Sequence, residues 1–259
     1  MALVKTAQEI SLLREGGALL SRALGAALDA ASSGVTMKEL DAIAERVIRG
    51  GGGEPSFLGY TGGGDIPFPA TVCISRNAEV VHGPGNRDHV LEDGDVVGFD
   101  IGCWYEGLCT DMAYTVAIGD ALSDARTLMN VTKAALQNGI KVVKAGAKLQ
   151  SISQAIEDPI RPHGFGIVTS YVGHGVGHRV HEEPQIPNFV SSQFPNPEMK
   201  VGMVLALEPM VTLGGGLVQV ADDGWSAITV DGSLAAHYEQ TIVVTAEGFE
   251  ILTPFPKGR

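Results

Sequence analysis

Apolar residues recur at helical spacing in two separate parts of the chain, and each part predicts a pair of helices. Both helices of the first pair open with a threonine that is followed three residues later by a glutamate, the pattern of a capping box. Ser123 is the predicted N-cap of the third helix. The pair Gly16-Gly17 lies inside the first helix and predicts close packing against another element. The predicted helices span residues 6–32, 36–50, 123–144 and 148–162.

Apolar segments bounded by turn residues predict strands after each helix pair. The order is two helices and strands, followed again by two helices and strands, which predicts an α+β fold with internal pseudo-twofold symmetry. We expect a single domain over residues 1–259, a length near the upper limit for one hydrophobic core. The predicted strands lie near residues 70–75, 95–105, 108–118, 167–172, 203–213, 217–221, 226–230 and 236–245.

Two copies of one short pattern place a carboxylate in an apolar strand that follows a glycine turn. The first copy ends in Asp100 and the second in Glu208, and each is followed by a further strand that opens on an acid, Asp111 or Glu239. Strands this apolar are typical of buried sheet positions, where four carboxylates are prohibitive without a counter-charge. Because no lysine or arginine lies in these strands, the four acids predict a bound metal.

The turn at Glu106-Gly107 predicts an antiparallel hairpin in which Asp100 and Asp111 lie roughly opposite each other. Directly opposed side chains on one face have Cβ atoms about 5 Å apart. Two carboxylates at that distance repel unless a cation lies between them. Gly98 and Gly102 share the face of Asp100 and are expected to leave room for ions. The alternative, with both acids pointing to solvent, is disfavoured because the other face of this strand is apolar.

Histidines concentrate in the glycine-rich segment 173–184, which holds three of the seven in the chain. Glycine on both sides of His174 predicts close backbone approach to another group. We expect His174 and His181 to carry chemistry and His178 to be an exposed loop residue. His82 ends a strand at a turn, a place where a histidine taken alone is more often structural. The remaining histidines are expected to be surface or core residues: His89, His163 and His237.

The donor set indicates the chemistry. Four carboxylates and one imidazole suit a pair of borderline-hard divalent ions such as Mn, Co, Fe or Zn. Two such ions typically share bridging carboxylates and activate a water molecule. Di-iron sites that use dioxygen are usually built on helix bundles. Because the acids here lie on strands, we expect hydrolysis.

Composition narrows the class of protein and its compartment. The net charge is −12 with scattered lysine and arginine, which argues against a nucleic-acid groove. No apolar segment is long enough to cross a bilayer, and the N-terminus lacks the pattern of a signal peptide. The three cysteines are too few for a disulfide scaffold and show no Cys-x-x-Cys pattern, so they are expected to be small core residues. We therefore expect a cytoplasmic protein without membrane contact.

Nine short segments form a joint pattern that covers nearly the whole chain. They are Phe57–Tyr60, Val72–Ser75, Glu79–Gly83, Asp93–Asp100, Gly173–Gly177, His181–Pro184, Leu207–Met210, Asp223–Trp225 and Tyr238–Glu239. In their order and spacing these segments resemble the type I methionine aminopeptidases. The resemblance implies the pita-bread fold, a pseudosymmetric antiparallel sheet backed by helices. It also implies removal of the N-terminal methionine from nascent polypeptides with a small second residue, by a water molecule that two metal ions activate.

The resemblance implies five metal ligands for two divalent ions, which could be Co, Mn, Fe or Zn. Asp111 and Glu239 would bridge both ions. Asp100 would bind one ion, and His174 with Glu208 would bind the other.

The resemblance implies catalytic and substrate-binding roles as well. Glu208 would accept the proton of the attacking water. His181 would donate a hydrogen bond to the scissile carbonyl and stabilise the oxyanion. His82 would contact the substrate backbone and aid proton delivery. The implied methionine pocket consists of Phe57, Tyr60, Phe68, Cys73 and Trp225.

The chain departs from the family pattern at several positions. The glycine-rich segment 61–67 is longer, and Gln240 stands where histidine is common. Val180 stands where phenylalanine is usual, which predicts a looser methionine pocket.

Two alternative functions remain beside this one. An Xaa-Pro aminopeptidase or dipeptidase shares the fold and the ligands, but usually carries a large additional N-terminal domain. A catalytically inactive pita-bread module would bind other proteins, but such modules lose metal ligands. The expected partners are peptide and nascent-chain N-termini and, transiently, the ribosome, although the lysines near residues 133–148 form only a modest basic cluster. We expect a monomer.

Overall fold

The computed structural model describes residues 4–259, in which helices cover one side of a large antiparallel sheet. The four α-helices of this part of the chain come in two pairs, each ahead of its own group of strands, as predicted. None of them, within these residues, has the length and apolar character needed to cross a membrane. The helices are α1 (Ala7–Ala30), α2 (Met37–Gly50), α3 (Ser123–Lys141) and α4 (Gln150–Ile160).

The strands are short except for one long hairpin. Several have only two or three residues and are held in place by pairing rather than by their own propensity. They are β1 (Glu54–Pro55), β2 (Val72–Arg76), β3 (Glu79–Val81), β4 (Val96–Tyr105), β5 (Leu108–Ala117), β6 (Gly166–Ile167), β7 (Gly173–Gly175), β8 (Glu182–Ile186), β9 (Val204–Leu207), β10 (Met210–Thr212), β11 (Val218–Val220), β12 (Ala227–Thr229), β13 (Ala235–His237), β14 (Glu239–Val244) and β15 (Phe249–Ile251).

Helix starts follow the capping pattern in two cases and depart from it in one. The side chain of Thr6 accepts from the Glu9 N–H, and Glu9 accepts from the Thr6 N–H at 2.7 Å. The same reciprocal bonds open α2. The prediction that Ser123 caps α3 is wrong. Leu122 occupies the N-cap with extended backbone and no side-chain cap, so Ser123 is the first helical residue.

The pseudo-twofold symmetry is visible in the sheet order. Among residues 4–259, nine strands form one antiparallel sheet, and its centre runs β4-β5-β14-β9. The first half of the chain supplies β4 and β5, and the second half supplies β9 and β14. Asp111 on β5 and Glu239 on β14 therefore lie on adjacent central strands. Asp100 on β4 and Glu208 at the end of β9 lie one strand further out on either side.

Two of the predicted strands are broken where the chain leaves the large sheet. The segment 203–213 splits into β9 and β10 at Glu208-Pro209, and 236–245 splits into β13 and β14 at Tyr238. β10 and β13 pair with each other in a separate sheet. Pro209 cannot donate to a ladder, which favours the break there. Both acids of the second half, Glu208 and Glu239, thus lie where the chain passes between sheets.

Alternation along the strands gives the large sheet one helix-facing side and one side that carries the acids. Phe99 and Ile101 on β4 are fully buried and belong to the same apolar core as most leucines of α1 and the single leucine of α2. Asp100 lies between them in sequence, so its side chain points to the opposite face. The strand registers place Asp111 and Glu239 on the face of Asp100.

Close packing at Gly16-Gly17 is confirmed. A Cβ atom on Gly16 would lie 3.0 Å from Tyr105 Cβ, and one on Gly17 would collide with the carbonyl oxygen of Leu252. We expect Gly17→Ala to lower the free energy of unfolding by about 1–3 kcal/mol, because backbone must move to admit the methyl group. Urea unfolding measures this loss. The control is Gly50→Ala in the last turn of α2, where a Cβ atom meets nothing within 4 Å; an equal loss in both variants would contradict the packing account.

Candidate metal centre and active site

A cavity of about 380 Å³ opens on the acid-bearing face of the large sheet. It brings together all the site residues expected from the sequence, although they come from segments throughout the chain. The side chains of this set that line the cavity are Phe57, Tyr60, Phe68, Cys73, His82, Asp100, Asp111, His174, His181, Glu208, Trp225 and Glu239.

The two acids of the hairpin are diagonal neighbours rather than opposed residues. Asp100 pairs with Ala113, and Asp111 pairs with Gly102. The prediction that the acids lie opposite each other is therefore wrong by two residues, because the tight turn at Glu106-Gly107 sets the register of the whole hairpin. An even offset keeps both side chains on one face, so they still converge on the cavity.

The glycines beside Asp100 have a different role from the one expected. A side chain on Gly102 would collide with Ser56 Oγ and lie 3.0 Å from the ring of Phe57. A Cβ atom on Gly98 would make only ordinary contacts, the nearest at 3.6 Å. The prediction that these glycines leave room for ions is thus wrong. Gly102 makes room for Phe57, which is part of the apolar wall of the cavity.

His174 joins the acids from the second half of the sheet. It lies on β7 opposite Ala206 of β9, and its Nε2 is 3.6 Å from Glu208 Oε1. Its Nδ1 lies 2.9 Å from the carbonyl oxygen of Gly175 and donates to it, which leaves the Nε2 lone pair facing the acids. Burial lowers the pKa of His174 to about 3, so the imidazole is neutral at pH 7.

The acids form a cluster that fits divalent metal. Asp111, His174 and Glu239 each offer one ligand atom, and these three atoms lie within 4.8 Å of one another. Asp100 Oδ1, Asp111 Oδ1 and Glu239 Oε1 are buried and find no hydrogen-bond partner in the part of the chain that the structure describes. Orphaned buried carboxylate oxygens beside a neutral imidazole are the donors that borderline-hard divalent ions take.

The electrostatics agree with this assignment. Burial raises the pKa of Asp100 to about 7 and that of Glu208 to about 8. Burial and the neighbouring carboxylates raise the pKa of Asp111 and of Glu239 well above the usual range. Four carboxyl groups that resist ionisation together need positive charge to become carboxylates at pH 7.

We expect the chelated protein to lose stability as the pH rises from 5 to 8. The folded pKa values of about 7 and about 8 at Asp100 and Glu208 exceed the unfolded values near 4, so the folded state binds more protons across this window. The free energy of unfolding should fall by more than about 1.4 kcal/mol, the equivalent of one pKa unit at one group. Urea unfolding at pH 5 and pH 8 in the presence of a chelator measures it. Added metal should abolish the loss; a stability that rises with pH in the chelator would refute the assignment.

Two histidines at the cavity wall are held by aromatic neighbours. His181 Nδ1 lies 2.7 Å from the Tyr60 hydroxyl, and its ring contacts that of His174 at a centroid distance of 4.4 Å. The Tyr60 hydroxyl donates to Nδ1 in the tautomer that keeps the proton on Nε2. His82 has a left-handed backbone, with φ of 62°, and packs edge-on against Tyr171. Burial lowers the pKa of His82 to about 4 and also lowers the pKa of His181. Both imidazoles are therefore neutral at pH 7.

The turn that carries His82 is fixed by an ion pair. Arg87 contacts Glu79 through two nitrogens and also donates to the carbonyl oxygens of Pro84 and Ile74. A left-handed conformation at a residue other than glycine persists where the surrounding contacts determine it. These bonds hold His82 at the cavity wall.

His237 and Tyr171 reach the site without having been singled out in the sequence. His237 was expected to be an ordinary surface or core residue. It is buried, and its Nε2 lies 3.5 Å from Glu208 Oε2. Its position two residues before the ligand candidate Glu239 was the only local signal, and the break between β13 and β14 obscured it. Tyr171 was placed in a predicted strand, 167–172, and this prediction is wrong, because β6 ends at Ile167 and Tyr171 lies in the irregular segment before β7.

The apolar part of the cavity is closed by aromatic rings. Phe68 packs edge-on against both Phe57 and Trp225, at centroid distances of 6.5 and 5.2 Å. Cys73 is buried beside them, and burial raises the pKa of its thiol. Val180 belongs to the same apolar cluster but does not line the cavity. The rings and the start of the 61–67 segment form the cavity wall, and the looser methionine pocket at Val180 stays a prediction.

The structure also places the three cysteines and the remaining histidines. The three cysteines are buried and form no disulfide within residues 4–259, as expected. The expectation that His178 is exposed is wrong. It is half-buried, with its Nε2 2.6 Å from Glu9 Oε1. His89 lies beside Arg76, and His163 stacks on Phe165, both away from the cavity.

Four buried or half-buried acids and one imidazole on or at the end of strands, next to an apolar pocket and two neutral histidines, define a metal-dependent hydrolase. Comparison with known proteins agrees. Residues 11–246 match the model of Metallopeptidase family M24, and the chain belongs to this family.

Several relatives at about 40% identity are methionine aminopeptidases. The chain is 42% identical to methionine aminopeptidase 1 of Bacillus subtilis over 256 residues. This aligned region covers 98% of this chain and 99% of that protein. The crystal structure of methionine aminopeptidase from Thermotoga maritima superposes with a TM-score of 0.91 at 38% identity, over 96% of this chain and 98% of that one. Both likenesses extend over nearly the full length of the two chains compared.

A more distant likeness shows the fold alone. The prolidase from Pyrococcus furiosus superposes with a TM-score of 0.78 at 22% identity. It covers 98% of this chain but only 66% of the prolidase chain. The pita-bread fold is thus shared with proline-directed peptidases, whereas the sequence likeness is to the methionine enzymes.

Proposed function

We propose that this chain removes the N-terminal methionine from peptides and nascent polypeptides whose second residue is small. The observation that carries the proposal is that one cavity holds both the acid cluster and a pocket closed by aromatic rings. The full-length similarity to methionine aminopeptidases supports the same substrate.

The pocket suits a methionine side chain. Methionine is unbranched and apolar, and its sulfur makes favourable contacts with aromatic rings. Phe57, Phe68 and Trp225 supply those rings, and the cavity volume of about 380 Å³ falls in the range of small-ligand sites. A side chain held among the rings would place the first peptide bond at the acid cluster, since both line the same cavity.

The proposed cofactor is a pair of divalent ions. Asp100, Asp111, His174, Glu208 and Glu239 would hold them, with Asp111 and Glu239 shared between the two, which fits their adjacent central strands. Bound there, such ions lower the pKa of water and polarise a carbonyl group.

Three side chains supply the proton transfer and the hydrogen bonds of the proposed reaction. Glu208 accepts the proton of the attacking water, a role that suits a carboxylate whose burial favours the protonated form. His181 directs its Nε2 proton to the carbonyl oxygen of the scissile bond, because the Tyr60 hydroxyl occupies its Nδ1. His82, neutral and lining the same cavity, contacts the substrate backbone and aids delivery to the departing amine of the proton that Glu208 has taken up.

The compartment, the oligomeric state and the transient partner are also proposals. We infer a cytoplasmic monomer of one domain that meets nascent chains transiently at the ribosome. The absence of a disulfide within residues 4–259 and the negative net charge support a reducing compartment and a peptide substrate rather than nucleic acid.

Proline-directed cleavage is the alternative with the same fold. The ratio of kcat/KM for a Met-Gly peptide to that for an Ala-Pro peptide decides between them, measured on protein whose metal content is known. We expect the Met-Gly peptide to be preferred by at least roughly 10²-fold, the discrimination that a fitted apolar pocket provides. Preference for the Ala-Pro peptide would establish the alternative. Binding of metal without cleavage of either peptide would point to an inactive binding module.

A further inference from the structure

A buried ion pair joins the N-terminal segment to the loop that carries His181. The Lys5 ammonium lies 2.7 Å from Glu182 Oε2, and the two side chains are only 1% and 7% exposed. Glu182 directly follows His181 and opens β8. Because either charge alone would remain desolvated, such a pair resists separation. It therefore fixes Glu182, and through the peptide bond it limits where the backbone of His181 can lie.

Lys5 is itself held in position. Its backbone N–H donates to the carbonyl oxygen of Gly202 at 2.8 Å, at the turn that leads into β9. Its side chain crosses Gly177, where a Cβ atom would collide with Lys5 Cε. The missing side chain at Gly177 thus provides the path by which Lys5 reaches Glu182.

Glu182 also closes the loop on itself. Its second oxygen, Oε1, accepts the backbone N–H of Arg179 at 2.9 Å. One carboxylate therefore receives Lys5 on one oxygen and the loop backbone on the other. Loss of Lys5 would free this carboxylate to rotate and would release the Arg179 amide.

A second tie from the same N-terminal segment supports this arrangement. His178 Nε2 lies 2.6 Å from Glu9 Oε1, and Glu9 is the residue that completes the capping box of α1. The Cys109 N–H donates to the carbonyl oxygen of Gly177 at 2.7 Å. The loop is thus anchored on both sides of His181, and the buried charges lie at the anchor next to it.

We propose that Lys5 is a positioning residue for His181. The proposal rests on the role of His181 in the proposed function. The Tyr60 hydroxyl fixes the orientation of the His181 ring from the cavity side, and the Lys5–Glu182 pair fixes its backbone from behind. A misplacement of about 1 Å can cost roughly 10²-fold in rate, so a loop held at one end only would not sustain the donor geometry.

The test is a double-mutant cycle with His181. Lys5→Met should lower kcat for a Met-Gly peptide by roughly 10²-fold, with a much smaller change in KM. His181→Ala should lower kcat by about 10²–10³-fold, as loss of one oxyanion donor does. In the His181→Ala background, Lys5→Met should bring no further loss, because Lys5 acts through the group already removed. An equal loss in both backgrounds would overturn the proposal.

Two controls separate positioning from general instability. Arg14→Met breaks the exposed Arg14–Glu250 pair, which ties α1 to β15 rather than to the loop, and should leave kcat unchanged. The double variant Lys5→Met with Glu182→Gln leaves no unpaired buried charge, should fold, and should keep the low kcat of the single variant. A return to wild-type kcat in this double variant would show that the orphaned charge, rather than lost positioning, caused the effect.

Hydrogen exchange of the Arg179 amide gives a readout that does not depend on activity. In Lys5→Met this amide should exchange faster, while amides of β4 should not change. Unchanged exchange at Arg179 would overturn the inference even in an active enzyme. If the wild-type protein releases no methionine, the proposed function fails, and the exchange result still decides whether Lys5 holds the loop.

Discussion

Glu208→Gln should lower kcat by about 10²–10⁴-fold, the range for loss of a general base, with a much smaller change in KM. The amide can still accept hydrogen bonds but cannot take up the proton of the attacking water. Since Glu208 also lies 3.6 Å from the ligand candidate His174, weaker metal binding should add to the loss. Steady-state kinetics on a Met-Gly peptide at saturating metal separates the two contributions.

Glu198→Gln is the matched control for this variant. Glu198 is exposed and pairs only loosely with Lys148 at 3.4 Å, so its loss should leave both kinetic constants unchanged. An unaltered kcat in Glu208→Gln would remove Glu208 from the proton transfer. A loss confined to KM would mean that it serves substrate binding instead.

Asp111→Asn should weaken the binding of both metal ions. The affinity should fall by more than the 10–100-fold typical of residues that only support a ligand, because a shared carboxylate would be replaced by a neutral amide. Calorimetric titration with Mn or Co, together with elemental analysis, measures the affinity and the number of ions bound. Asp120→Asn is the control, since that side chain is almost fully exposed.

In the absence of metal, Asp111→Asn should stabilise the protein rather than weaken it. Removal of one acid from a cluster whose pKa values are raised by burial should increase the free energy of unfolding at pH 8. Two ions bound with normal affinity, and full activity, in Asp111→Asn would rule out the shared ligand. A chelated variant less stable than wild type would show that Asp111 has a structural role instead.

Local signals predicted much of the fold. The capping boxes at Thr6 and Thr36 act within one helical turn, so they could be recognised without knowledge of the rest of the chain. The glycine pair in α1 predicted a close contact, although its partner Leu252 lies at the other end of the sequence. The repeated acid pattern predicted the central strands, because alternation decides which residues point away from the apolar core.

The features that were missed depend on contacts between distant segments. β7 contains only Gly173–Gly175, and it is a strand because it lies between β8 and β9. The division of residues 203–213 and 236–245 between two sheets was not predicted, although Pro209 marks one of the two breaks. That division decides that His237 faces Glu208, which is why this histidine looked like an ordinary core residue.

The sequence predicted which residues gather at the cavity, apart from His237 and Tyr171, but not how they are placed. Acids, histidines and aromatic residues of the expected set all line one cavity. The register of the hairpin depended on the tight turn, so the spacing of Asp100 and Asp111 was misjudged. The role of Gly102 depended on which side chains lie beside it, and this information is absent from a single sequence.

The most direct test is metal titration of the chelated protein with release of free methionine as the readout. We expect the chelated protein to release no methionine from a Met-Gly peptide, and activity to appear in proportion to bound divalent metal. Release of methionine by the metal-free protein, or a fully loaded protein that releases none, would contradict the assignment of the acid cluster as the catalytic centre.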